Sequence, residues 1–230
     1  MPRGKAPTFE LQRATILQNA AHLFAQKGFA GASMADLARA CGVSKALLYH
    51  YYRDKEHLLF DTADTYMDTL IGIVAEVRAR GLPPMEHFAA LVARFMQEYE
   101  HSQAQHMVLV QDVKFLGESE RRQVVAKERQ VVEAFAQAIA ALKPRFRSKA
   151  LRMPLAMILF GMINWTFTWL RADGPLTYQD MAKVVTEIYL RGVSSGDRIA
   201  AGKPRDQRAS RDSRWQRLLM ALNGRADRAE

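Results

Sequence analysis

Residues 33–55, SMADLARACGVSKALLYHYYRDK, decide how the rest of the chain is read. Ser33 suits the cap of a short helix, and Asp36 three residues on can return the hydrogen bond, close to a capping box. Leu37, Ala38 and Cys41 give that helix one small apolar face. Gly42 can adopt the left-handed backbone that ends it. Val43 turns inward, Ser44 caps a second helix through Lys45–Tyr49, and Asp54 caps a third. Two short helices joined by a tight glycine-containing turn are the pattern of a helix-turn-helix, whose second helix enters the DNA major groove.

Upstream, Ile16, Leu17, Ala20, Leu23 and Phe24 recur at helical spacing within a first helix expected from Phe9 to Lys27. Downstream, a helix from Lys55 to about Arg80 carries Leu58, Leu59, Tyr66, Leu70, Ile71, Val74 and Val77, and Gly81–Pro84 ends it. Further helices are expected at about 84–100, 103–115, 119–142, 154–171 and 177–193. Pro154 is placed in a first turn and Thr177 with Asp180 in a second capping box. No convincing period-two strand and no internal repeat occurs, so the fold class expected is all-α.

The 33–55 segment resembles the DNA-binding domain of the TetR (tetracycline-repressor-like) transcriptional regulators. The positions that carry the likeness are Leu37-Ala38, Cys41-Gly42-Val43-Ser44-Lys45, Leu48-Tyr49, Tyr52, Lys55 and Leu58, with the upstream run Ala20–Phe29 similar to the family's first helix. Ala46 and Leu47 stand where Gly and Thr are commonest, Tyr51 replaces a frequent His, and Tyr52 replaces a buried Phe. The resemblance implies an N-terminal three-helix helix-turn-helix domain and a C-terminal helical bundle for ligand binding and dimerisation. The division expected is a flexible basic arm at 1–8, the DNA-binding domain at 9–54, the ligand-binding and dimerisation domain at 55–194, and a basic, largely disordered tail at 195–230.

Composition agrees with a DNA-binding class. The chain has 230 residues, a formal net charge of +9 and one cysteine. A positive surplus favours nucleic acid, and a membrane surface would favour the same sign. Cys41 cannot form an internal disulfide and reads as small buried filler rather than a redox sensor. No apolar run is expected to reach the ~20 residues of a membrane span, and the start lacks the apolar core of a signal peptide. A cytoplasmic protein with no membrane partner is expected. The six histidines show no metal-ligand spacing, and no nucleophile elbow, P-loop or dinucleotide fingerprint is present. Neither an enzyme nor a metal or other cofactor is expected, and a helical partner protein without DNA contact is disfavoured by Ser44, Lys45 and Tyr49 in register.

The residues expected on an operator duplex are Ser33, Ser44, Lys45, Ala46, Leu47, Tyr49, His50, Tyr51 and Lys55. Lys45 suits a guanine edge or phosphate, Leu47 a thymine methyl, and Lys55 a phosphate; by resemblance the Tyr49 hydroxyl meets phosphate. For Arg3 and Lys5 a plain terminus is the first expectation and a phosphate or minor-groove contact the second. The arginine-bearing tail, with Trp215, Leu218, Leu219 and Leu222, is read first as a solubilising extension and second as an auxiliary contact or docked segment.

The family resemblance further implies a homodimer on a palindrome, formed through the last two helices. Met157, Phe160, Gly161, Phe167, Val184 and Ile188 are the interface expected. The run from Phe160 to Leu176 resembles a segment of TetR relatives that answer to acyl- or aryl-coenzyme A thioesters. The effector residues expected are Tyr66, Leu70, Phe88, Phe95, Met107, Gln111, Phe115, Asn164, Trp165 and Thr168, with Trp165 divided between pocket wall and dimer contact. Arg121, Arg122, Lys127 and Arg129 could meet coenzyme A phosphates, although a solvated helix face is the default. The expected function is a repressor released by a small hydrophobic effector, most plausibly such a thioester; the alternative is a regulator of efflux that answers to drug-like or aromatic ligands.

Overall fold

A computed structural model of the chain describes residues 7–171 and 173–195. The arm residues Arg3 and Lys5 and the tail from 196, with Trp215, lie outside the described residues. Among the described residues there are nine α-helices and three short 3-10 turns, with no strand. They are α1 Pro7–Gly31, α2 Met34–Ala40, α3 Lys45–Tyr51, α4 Lys55–Ala79, α5 Pro84–His101, α6 Gln103–Gln111, α7 Glu118–Leu142, α8 Lys149–Asn164 and α9 Tyr178–Ser195. The described residues pack as two units, 7–67 with Gln103–Val125, and Asp68–Ser102 with 126–195.

The first unit is built as its caps dictate. The Asp36 N–H donates to Ser33 Oγ at 3.1 Å and the Ser33 N–H donates to Asp36 Oδ2 at 3.3 Å, a complete capping box for α2. The hydrogen bonds from Ser33 hold the half-buried Asp36 carboxyl below the usual carboxylate range. Gly42 has φ +65°, the left-handed conformation the turn requires. Ser44 caps α3 by accepting the Leu47 N–H at 3.1 Å, and Asp54 caps α4 by accepting the His57 N–H at 2.7 Å. The core beneath is made by Ile16, Ala20, Phe24, Leu37, Leu48, Leu58 and Leu59, all 0–1% exposed.

Two polar joints complete this unit. Asp61 of α4 accepts the Tyr52 hydroxyl at 2.6 Å and the Arg13 Nε–H at 3.0 Å, so one carboxylate ties the end of α3 to α1 and α4. Burial first, and then the bond to Asp61, hold the Tyr52 phenol protonated far above its ordinary range. The second joint surrounds Phe29, just past a kink in α1 at Gly28 (φ 70°, ψ 157°). The Lys55 ammonium donates to the Phe29 carbonyl at 2.9 Å and lies 4.3 Å from the Phe29 ring centre. The buried Asp112 carboxylate accepts the Phe29 N–H, and the ring stacks on Phe115 at 5.1 Å.

The second unit is an aromatic-rich bundle. Phe95 of α5 meets Phe135 of α7 edge-on at 4.8 Å, Phe135 meets Phe160 of α8 at 4.9 Å, and Phe88 of α5 stacks on Tyr189 of α9 at 5.2 Å. α9 begins with Thr177 accepting the Asp180 N–H at 3.0 Å, as its sequence predicts.

Two expectations are corrected here. α8 starts at Lys149, so Pro154 lies inside it rather than in its first turn, and the helix ends at Asn164 instead of near Arg171. The chain continues as a 3-10 turn over Trp165–Thr168. The four-residue spacing of Trp165 and Trp169 would put both on one face of an α-helix, and at 3.0 residues per turn they do not share one. The second correction concerns membranes, because Ala150–Thr168 is long and apolar enough by composition to cross one. In this fold its Leu155, Ala156, Leu159 and Ile163 are buried in the bundle, and Arg152 pairs with Glu133 at 2.7 Å.

The joints generate two predictions. Tyr52→Phe keeps the buried ring and removes only the bond to Asp61, and a urea melt should show a loss of about 1–2 kcal/mol. Burial pushes the Asp112 carboxyl up to about 6, from 3.8. The native state therefore holds this proton more tightly than the unfolded chain. The contribution of Asp112 to stability is greatest below about pH 4, falls as the pH rises to about 6, and is level above that. Asp112→Asn keeps an oxygen acceptor for the Phe29 N–H without the charge. It should stabilise the fold by roughly 2 kcal/mol at about pH 8 and give no gain at about pH 4, as urea melts at the two pH values would show.

Candidate nucleic-acid interface

The exposure of α3 divides its side chains cleanly. Leu48 is 0% exposed and anchors the helix, whereas Ser44, Lys45, Ala46, Leu47, Tyr49 and His50 are all exposed. Leu47 at 39% and Tyr49 at 47% are large apolar or aromatic groups left to solvent beside a cation, and the Lys45 ammonium lies 5.8 Å from the Tyr49 ring centre. A helix presenting an ammonium, a phenol and an isobutyl group over one buried anchor can offer a donor, a hydroxyl and a methyl-packing surface to a groove. Ser33, at the start of α2, is exposed as well.

Two of the expected contact residues are engaged within the protein. Tyr51 is half-buried and stacks on Phe9 of α1 at 4.6 Å. Lys55 is held by Phe29, as described above. Two exposed cations nearby were passed over in the sequence. Arg39, in the last turn of α2, is 78% exposed and reaches Asp36 at 3.2 Å. Arg53, between α3 and α4, is 70% exposed and bridges Asp54 at 2.9 Å and Glu120 at 3.4 Å. Their signal was present as two arginines flanking the turn and the second helix.

The expected effector residues fall in both units. Tyr66, Met107, Gln111 and Phe115 belong to the first unit, where the Tyr66 ring meets His106 edge-on at 6.1 Å and Phe115 covers Phe29. In the second unit Leu70, Phe88 and Phe95 are packed core at 3%, 0% and 0% exposure. Asn164 accepts the Tyr99 hydroxyl at 2.8 Å, the polar partner its place in an apolar helix called for. Thr168 is exposed and donates to the Trp165 carbonyl. Two open grooves mark this unit, about 540 Å³ between α5 and α9, and about 460 Å³ between α4 and α7. None of the expected effector residues lines either of them.

The expected interface residues lie on α8, the turn after it, and α9. Gly161, Val184 and Ile188 are exposed, Met157 and Phe167 are half-buried, and Phe160 is buried. Ile158 at 58%, Trp165 at 55% and Trp169 at 51% add to the exposed apolar surface of these elements. Of the basic residues on α7, Arg122 pairs with Glu118 at 2.8 Å and Lys127 with Asp68 at 2.6 Å. Among the described residues no group of three or more His, Cys, Asp or Glu side chains has an arrangement that could hold a metal ion.

Comparison with known proteins places this geometry. Residues 16–62 match the model described as bacterial regulatory proteins, tetR family, and residues 81–193 match the tetracyclin repressor-like C-terminal domain. A TetR-family transcriptional regulator from Bordetella parapertussis is 34% identical, with a TM-score of 0.74 over 77% of this chain and 93% of that one. The transcriptional repressor KstR2 of Rhodococcus jostii is 26% identical over 187 residues, 80% of this chain and 92% of its own. AibR, solved with isovaleryl coenzyme A and operator DNA, shares the fold at 24% identity and a TM-score of 0.69, over 77% of this chain and 97% of its own. The chain, with a helix-turn-helix in its first unit and a helical bundle in its second, belongs to the TetR family of bacterial transcriptional regulators.

Proposed function

We propose that the chain is a cytoplasmic, ligand-responsive transcriptional repressor that binds a palindromic operator as a homodimer. The observation that carries this reading is the exposure of α3 around its single buried anchor, Leu48. On DNA, Lys45 meets a guanine edge or phosphate, Tyr49 a phosphate, and Leu47 a thymine methyl or sugar. Ser33, Ser44, Ala46 and His50 lie within the same surface. Arg39 and Arg53 take the outer phosphate contacts, because the Lys55 ammonium already serves Phe29.

The dimer forms through α8 and α9, where Gly161 has open space before it and Ile158, Val184 and Ile188 stand exposed. Covering them across a two-fold axis makes a four-helix interface and sets two α3 helices about one DNA turn apart, ~34–36 Å. Similarity to a named repressor favours repression. A small hydrophobic effector releases the operator by binding more tightly to a form whose reading helices are misspaced. Coenzyme A thioesters are the class to try first, from the likeness of the Phe160–Leu176 run and the shared fold of a protein solved with one.

Lys45→Ala and Tyr49→Ala should each weaken operator binding tenfold or more in fluorescence anisotropy on DNA from upstream of the gene, and leave the melting temperature within ~1–2 °C of the parent. Full binding by both variants would move the interface away from α3. In the same assay one acyl- or aryl-coenzyme A thioester should raise the melting temperature and release the DNA. Release by aromatic or drug-like compounds instead would assign the protein to efflux regulation, and a panel without effect on either quantity would end the effector proposal.

A further inference from the structure

In the second unit α4 and α7 run side by side and leave a trough between them. Lys127 of α7 pairs with Asp68 of α4 at 2.6 Å. From that level a groove of about 460 Å³ follows both helices in the same direction, along 71–78 of α4 and 129–137 of α7. Its floor is apolar, with Ile71 and Val74 half-buried and Val131 and Ala134 buried. An exposed guanidinium stands at each end: Arg129 near the level of Lys127, and Arg78 past the floor, in the last turn of α4. At 1.5 Å of rise per residue the two positions are about 12 Å apart along the groove.

The acids around these arginines are engaged elsewhere or weakly charged. Among the described residues no hydrogen bond or ion pair reaches the Arg78 guanidinium, and Glu76, two residues before it, is taken by Arg80 and by Arg94 at 3.1 Å. Glu133, the acid in the lining, is held by Arg152 at 2.7 Å. Glu128, next to Arg129, is half-buried, and burial pushes its carboxyl up to about 7, so near neutrality it opposes an anion only in part. We propose that this groove binds linear α,ω-dicarboxylic acids, with one carboxylate on Arg78, the other on Arg129 and the methylene chain on the floor between them. A guanidinium takes a carboxylate through two parallel N–H donors, and each methylene laid on the floor leaves water. An extended chain of roughly ten carbons covers the distance between the two arginines. The inference names a ligand class for the ligand-responsive reading given above and rests on it, but not on the thioester class.

The test uses the full-length protein and four probes: sebacic acid, decanoic acid, 1,10-decanediol and succinic acid. Calorimetry near neutral pH should show sebacic acid binding roughly tenfold or more tightly than each of the others. Arg78→Gln and Arg129→Gln, both at exposed positions, should each bring sebacic acid down to the level of decanoic acid, with melting temperatures within ~1–2 °C of the parent. Arg78→Lys, which keeps the charge without the fork of donors, should retain part of the preference. Arg122→Gln removes the same charge away from the groove and should leave the preference intact. Equal binding of sebacic and decanoic acid, binding of neither, or a preference that survives both glutamine variants would overturn the proposal. An equal loss in Arg122→Gln would also overturn it, because net charge alone would then be the cause. The two readings fail separately. Release of operator DNA by another compound, with no dicarboxylic acid bound, overturns the groove assignment and keeps the ligand-responsive reading. A dicarboxylic acid that binds with this arginine dependence and leaves the operator in place upholds the groove and counts against that reading.

Discussion

The reading unit depends on one carboxylate. Asp61 collects the Arg13 guanidinium from α1 and the Tyr52 hydroxyl from the end of α3, and it stands on α4 itself. α3 has only seven residues, far too few to be a stable helix on its own in water. Its direction is therefore fixed from outside, by Ser44 at its start, Leu48 beneath it and Tyr52 at its end. α4 continues as one unbroken helix from Lys55 to Ala79, so a change in its placement acts on α3 through the Tyr52 bond. The joint at Phe29 has the same logic at the other end of the unit, where Lys55 of α4 and Asp112, just past α6, hold one backbone position from two sides.

What the sequence made legible is mostly local. Ser33 with Asp36, Ser44, Asp54 and Thr177 with Asp180 announced four helix starts through short-range hydrogen bonds, and Gly42 announced its turn through a backbone angle. Tyr52 could be read as buried, but its partner Asp61 could not, because nothing along the chain says which carboxylate will face a phenol after packing. Lys55 misled for the same reason, since an ammonium beside a helix-turn-helix suits a phosphate until Phe29 is seen beneath it. Pro154 pointed to a helix start that lies five residues earlier, because a proline costs a helix one hydrogen bond and a packed bundle can absorb that. Glu128 was hidden among the charges of α7, where alternating basic residues read as a solvated face. Only the burial of Val124, Val131 and Phe135 reveals which side it lies on.

The second unit combines a dry aromatic core with two polar points of opposite character. Tyr99 and Asn164 satisfy each other, so that pair specifies how α5 meets α8 and has little left to explain. Among the described residues no hydrogen bond or ion pair reaches the Glu128 carboxyl. Phe88 and Phe95, expected to line an effector site, are buried core, and Trp165, expected either in the pocket wall or in a dimer contact, is exposed, as are Trp169, Ile158, Val184 and Ile188. Exposed apolar side chains on α8 and α9 call for cover; in the proposed homodimer a second copy would supply it and would double the base contacts available to a short recognition helix.

The most direct test of the account is a DNase I footprint of the full-length protein on DNA from upstream of its own gene, at two salt concentrations. The account predicts a protected palindrome with half-sites one helical turn apart, and protection that weakens steeply as salt rises. Uniform protection without a boundary at low salt and none at higher salt would mean charge without reading, and would contradict the assignment of α3 as a sequence-reading helix.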